Sequence, residues 1–90
     1  MSALLISYDL NKPGQKYAEL HEAIKGLGSA WAHYLESTWM VVTSKSPTQA
    51  WDALAPHVDK SDNVLIINIT GDSYSGWMPQ DAWTWVKQNV

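Results

Sequence analysis

The chain has 90 residues and a formal net charge of −3, and all six of its basic residues are Lys. That length holds one core and is near the lower limit for a chain stable by itself, so self-association is expected. The absence of Cys excludes a disulfide scaffold, a thiolate metal site and a Cys nucleophile, and an acidic chain without Arg lacks the footprint of a binder of long nucleic acid.

The apolar share, 46%, is that of a folded globular protein. The first residues lack the basic and small-residue pattern of a signal peptide, and no apolar run is long enough to span a bilayer. A cytoplasmic protein with no membrane partner is the expectation. Six Trp and no Phe make an uneven aromatic set. Trp51 is expected in the core, and Trp77, Trp83 and Trp85 in packing and interface contacts rather than ligand binding.

Residues 3–9 predict a first strand that ends on Asp9. Residues 11–14, Asn-Lys-Pro-Gly, are a turn cluster. A first helix follows over residues 15–27, with Tyr17, Leu20, Ile24 and Leu27 on one apolar face and Gly26 and Gly28 closing it in the manner of a C-terminal cap. Residues 30–35 and 38–43 predict two strands joined by the short connection Glu36-Ser37. Ser46 is the expected N-cap of a second helix over residues 47–58, with Pro47 at its first position. Trp51, Leu54 and Val58 form its buried stripe, and Pro56 tightens or ends its last turn. Residues 64–69 form a continuous apolar strand. A loop over residues 71–76 leads to a short helix from Pro79 to about Gln88, with Asp81 in its first turn.

The order β-α-β-β-α-β is that of an α+β, ferredoxin-like domain, an antiparallel sheet with two helices on one face plus a short C-terminal helix. One domain spans residues 1–90, with a core over 1–70 and a C-terminal loop and helix over 71–90. Helices on one face leave a difficulty, because residues 39–42 and 64–67 present apolar side chains on both faces. The C-terminal segment is expected to cover part of the second face. A second copy, related by a closed two-fold, is expected to cover the rest.

Three features carry a family resemblance. They are Ile6-Ser7-Tyr8-Asp9-Leu10 closing the first strand, Glu36-Ser37-Thr38-Trp39 near the hairpin tip, and the element order over residues 1–70. Together they resemble the second CRISPR-associated protein family, which includes endonucleases and an integrase subunit. The likeness is closer to its stand-alone bacterial and phage relatives, often labelled SinR-like, to which the ending Gly76-Trp77-Met78-Pro79-Gln80-Asp81-Ala82-Trp83 is also similar. The resemblance implies a homodimer of ferredoxin-like protomers in which two copies of Asp9 lie near the two-fold axis and bracket one divalent ion, Mg²⁺ or Mn²⁺. Paired carboxylates are hard oxygen ligands, and the ion they hold can orient a water toward a phosphodiester. The chain departs from active members of the family in having only Lys12 and Lys16, and no Arg, after the Asp.

Asp9 therefore reads as a catalytic carboxylate and metal ligand, or as a strand-end acceptor for backbone N–H groups in the turn that follows. One carboxylate per protomer needs a second from a dimer. Ser7, Tyr8, Asn11 and Lys12 beside it, and Ser37 and Thr38 at the hairpin tip, are the candidate ligand-binding residues; packing, strand pairing and hairpin termination are their structural roles. His21, His33 and His57 fall on separate elements without ligand spacing, and read as a helix-flank residue, a strand side chain and a helix C-terminal cation. Two functions of different class follow. One is a homodimeric, non-catalytic module that binds a small nucleotide or a protein partner and suits a phage or bacterial defence setting. The alternative is a metal-dependent phosphodiesterase or endonuclease centred on Asp9. The missing Arg and the acidic balance favour the first; the Tyr8-Asp9 strand end favours the second.

Overall fold

In chain order the elements are β1 (Ser2–Asp9), α1 (Tyr17–Lys25), β2 (Ala30–Leu35), β3 (Thr38–Thr43), α2 (Pro47–Leu54), a 3₁₀ turn (Ala55–His57), β4 (Asn63–Asn68) and α3 (Gln80–Asn89). They are taken from a computed structural model, which describes residues 1–10 and 17–90. The expected turn at residues 11–14 and the first residues of the expected first helix, Gln15 and Lys16, lie outside the described residues. The four strands form one antiparallel sheet in the order β2-β3-β1-β4. β1 is central, with Leu5 opposite Met40 of β3 on one side and Ile67 of β4 on the other.

The period of two along each strand sorts the side chains. Leu4, Ile6 and Tyr8 of β1 and Trp39 and Val41 of β3 point to one face, where Leu20 and Ile24 of α1, Leu27, and Ala50 and Leu54 of α2 complete the core. Burying each of the large aliphatic side chains contributes about 1.5–3 kcal/mol. On the opposite face Leu5 and Met40 lie beneath Trp83 and Val86 of α3 and the loop that precedes it. Ala82 and Val86 are the buried positions of α3. The C-terminal segment thus covers part of the second face, as the two-sided apolar pattern requires. Leu65 and Ile67 of the edge strand β4 stay exposed.

Local signals explain the helix ends. Ser46 caps α2 with a reciprocal pair: its Oγ accepts from the Gln49 N–H at 3.2 Å, and Gln49 Oε1 accepts from the Ser46 N–H at 2.9 Å. Pro56 ends the α-helical path, and the chain tightens into the 3₁₀ turn, closed by Val58 N–H donating to the Ala55 carbonyl at 3.2 Å. Pro79 is the N-cap of α3 rather than its first residue, and Asp81 and Lys87 occupy the helix ends that suit their charges.

Two expectations are corrected. Trp51 is not in the core: it is exposed on α2, whose inward positions are Ala50 and Leu54. Adjacent residues lie about 100° apart around a helix, and the small Ala50 side chain lets the helix approach the sheet closely. Trp39 is the buried core Trp, at 2% exposure. Gly26 and Gly28 do not cap α1 through left-handed backbone; among the described residues the positive-φ glycines are Gly71 and Gly76. The end of α1 is closed instead by Gly26 N–H to the Glu22 carbonyl and Leu27 N–H to the Ile24 carbonyl, at 3.0 and 3.1 Å. Gly28 has a different reason, its closeness to β3. Nearby, the fully buried Thr43 donates its hydroxyl to the Leu27 carbonyl at 2.6 Å and accepts from the Lys45 N–H at 3.1 Å. No helix among the described residues is long and apolar enough to cross a membrane.

Candidate functional site

The C-terminal end of β1 opens into a cleft of about 340 Å³ walled by Tyr8, Asp9, Leu10, Tyr17, His21, Glu36 and Ser37. Three elements build it. β1 ends there and delivers Tyr8 and Asp9; α1 brings Tyr17 and His21, which stand at i and i+4 and so share a helix face; the β2–β3 connection brings Glu36 and Ser37. The Tyr8 N–H donates to the Ser37 carbonyl at 3.0 Å and ties the hairpin tip to the strand end.

Beneath the cleft lies a closed set of aromatic and imidazole groups. The Trp39 Nε1–H donates to the Tyr8 hydroxyl oxygen at 3.0 Å. That hydroxyl is 3.1 Å from His21 Nε2 and 3.5 Å from the Glu36 carbonyl. The His33 ring stacks on Trp39 with centroids 3.8 Å apart and planes at 13°, and its Nε2 bonds the Glu36 carbonyl at 2.9 Å. The His21 and His33 rings are 5.7 Å apart. Because Trp39 can only donate, the one Tyr8 hydroxyl proton goes onward to the Glu36 carbonyl or to His21 Nε2, and a neutral His21 accepts it in the tautomer whose Nε2 carries no proton.

The electrostatics agree with that assignment. Burial pushes the Tyr8 phenol above its ordinary range; the Trp39 N–H opposes this and the Glu36 charge adds to it. The site therefore does not hold a phenolate near neutral pH. Burial also lowers the His21 imidazole, helped by the neighbouring His33 and Lys25 and opposed by Glu22. A lowered His makes a definite pH prediction. Between the folded value and the ordinary 6.5 the unfolded chain binds more protons than the folded one. Stability is complete above about pH 6.5 and declines as the pH falls below it. Urea midpoints at pH 7.5 and 5 should show this loss, and His21→Gln should lose less over the same interval; an equal loss in the variant would remove His21 as the cause.

The residues expected at a site divide between the two sheet faces. Asp9 is exposed at the strand end, and it also borders a second hollow with Ser7, Asn63, Val64 and Leu65. Tyr8 and Ser37 share the cleft with Asp9. Ser7 and Thr38 lie on the opposite face as a cross-strand pair, their hydroxyl oxygens 3.3 Å apart. Asn11 and Lys12 lie outside the described residues. Asp9 is the right donor type for Mg²⁺ or Mn²⁺, but among the described residues no group of three or more His, Asp or Glu could hold a metal ion. A metal at Asp9 would need a carboxylate from another copy.

The His21–Tyr8–Trp39–His33 set does not follow from linear spacing, since four residues on four elements meet only through the fold. One signal was present. His21 follows Leu20 and precedes Ile24 by three, which puts it on the border of the apolar face of α1 rather than on its solvent side. His57 is elsewhere, with Nδ1 3.9 Å from a Glu19 carboxylate oxygen. A separate apolar cleft of about 280 Å³ lies on the second face, between the sheet and the loop before α3. No family model, curated protein or solved structure matches this chain.

Proposed function

We propose that the protein is a homodimeric, ferredoxin-like binding module that takes a small nucleotide in the cleft beside Asp9. The observation that supports this reading is the lining of that cleft, to which Tyr8, Tyr17 and His21 bring aromatic and imidazole residues and Asp9 and Glu36 bring acidic ones. Aromatic walls suit the face of a base, and carboxylate acceptors suit its exocyclic amino and ring N–H donors. Acidic edges repel phosphate, so the nucleoside end enters and the phosphate is left outward. The family resemblance of the first strand and the ending suits a cytoplasmic role in bacterial or phage defence.

The second reading, a metal-dependent phosphodiesterase, draws on Asp9 at the strand end and needs its counterpart from the other protomer. One experiment separates the two. The protein and its Asp9→Ala variant are incubated with nucleoside monophosphates, cyclic nucleotides, short RNA and short DNA, with and without Mg²⁺ or Mn²⁺. The expected result is no cleavage and a rise in melting temperature with an intact nucleotide, reduced in Asp9→Ala. Ligand at a hundred times its Kd stabilises a fold by about 2.7 kcal/mol, which a melt resolves. Metal-dependent cleavage lost in Asp9→Ala would establish the nuclease instead. No cleavage and no shift would leave a protein partner as the surviving form of the module.

A further inference from the structure

We infer that Trp77 of one copy seats in the apolar cleft on the second face of another copy, and that the contact is reciprocal. The inference rests on the dimeric part of the function proposed above and assigns the surface that makes the dimer. Trp77 is 98% exposed, the most exposed of the large apolar side chains. Trp is among the residues enriched at interface hot spots. Its backbone is bounded on both sides: Gly76 takes φ of 157°, and Pro79 is the N-cap of α3, with its carbonyl accepting from Ala82 N–H at 3.1 Å.

The receptor is the cleft lined by Leu5, Met40, Tyr74, Met78, Trp83 and Val86, about 280 Å³ in volume. Two Met side chains make such a hollow adaptable to an indole. Knob and hollow stand one residue apart in the chain, Trp77 beside Met78. That adjacency suits closure, because a knob next to its own receptor lets both sit near one two-fold axis.

The area is sufficient. Around the cleft, Tyr34, Leu35, Ile67 and Tyr74 are between 40% and 50% exposed, and Leu65, two residues before Ile67 on the same strand, is 58% exposed. With Trp77 they expose on the order of 700 Å² per protomer, close to the ~800 Å² each partner gives to a standard interface. Ile67 is continuous with the cleft, since it stands opposite Leu5 across the β1–β4 pair.

The test is sedimentation of the full chain and of Trp77→Ala over a concentration series, with circular dichroism of both. Trp77 has almost no burial to lose, so the variant should keep its spectrum. The wild type is expected to be a dimer, and Trp77→Ala to raise its dissociation constant by roughly 30-fold or more, as for an interface hot spot. A second variant, Leu35→Glu, puts a charge on the rim and should also give monomer. A wild-type dimer that both variants leave intact would overturn the Trp77 contact and keep the dimeric reading. A wild type that is monomeric at 100 μM would overturn both. Assemblies that grow with concentration beyond two copies would overturn the closed form.

Discussion

Trp39→Ala is expected to cost about 3–5 kcal/mol of stability. That is a large part of the about 5–15 kcal/mol available to a domain of this kind. Trp39 is nearly fully buried in the centre of β3. Removing the indole takes away the stacking surface of His33, the ring contacts of His21 and Trp31 at 5.3 Å between centroids, and the donor to the Tyr8 hydroxyl. The two contributions can be separated. Trp39→Phe keeps a ring and loses the N–H, so the Tyr8 hydroxyl loses its donor, at about 1–3 kcal/mol. Tyr8→Phe removes the other partner, and a double-mutant cycle should give a coupling energy clearly different from zero. Urea midpoints at constant m value measure all of these. A Trp39→Ala midpoint near wild type would mean that the aromatic set is not part of the stabilising core.

Gly28→Ala is the second large effect. A Cβ at residue 28 would press on the Val42 carbonyl, 2.7 Å from its carbon and 3.0 Å from Thr43 Cα. All of these are backbone atoms, so no side chain can swing aside. The same carbonyl accepts the Ser29 N–H at 3.0 Å, and this bond leads the chain into β2. The substitution must displace either the end of β3 or the start of β2, and is expected to cost on the order of 3 kcal/mol. Gly26→Ala is the control. Its Cβ would meet nothing nearer than the Glu22 and Ala23 carbonyl oxygens at 3.5 and 3.6 Å. Its backbone is not left-handed, so Ala there should stabilise by about 0.4–1 kcal/mol through the unfolded chain. Thermal melts of the two variants, run together, should move in opposite directions; equal shifts would discard the close-approach account of Gly28.

This contrast shows what the sequence could and could not reveal. Element order was legible because period-two and period-3.6 patterns are local, and so were the Ser46 cap and the effect of Pro56. The two glycines after α1 look alike in sequence and differ only in what the fold places beside them. Trp51 and Ala50 show a related limit. Apolar spacing fixes a helix face only to within a residue, and the sheet chose the smaller side chain. At the candidate site, Asp9 was legible as the end of an apolar run and Ser37 as a hairpin tip, but the bond that ties Ser37 to Tyr8 comes from the fold. The imidazoles were not legible, because His21 and His33 are 12 positions apart on different elements and are brought together beside Trp39 only by the fold. Ser7 and Tyr8 are neighbours in sequence, and the pleat sends them to opposite faces.

The central place of β1 has a consequence for how the chain comes to be folded. Its partners are Thr38–Thr43 and Asn63–Asn68, so the first of the four strands in the chain completes its pairing only with the last. At about 5–20 residues per second, synthesis leaves β1 without its second neighbour for roughly 3–12 s after Asp9 is added. During that interval Leu4 and Ile6, which end with no exposure at all, are available to chaperones or to the wrong strand. Only when β4 emerges does the strand cease to be an open edge. Distant pairing of this kind also slows folding relative to a helical domain of equal size. The centre of the finished sheet is therefore the most vulnerable part of the nascent chain.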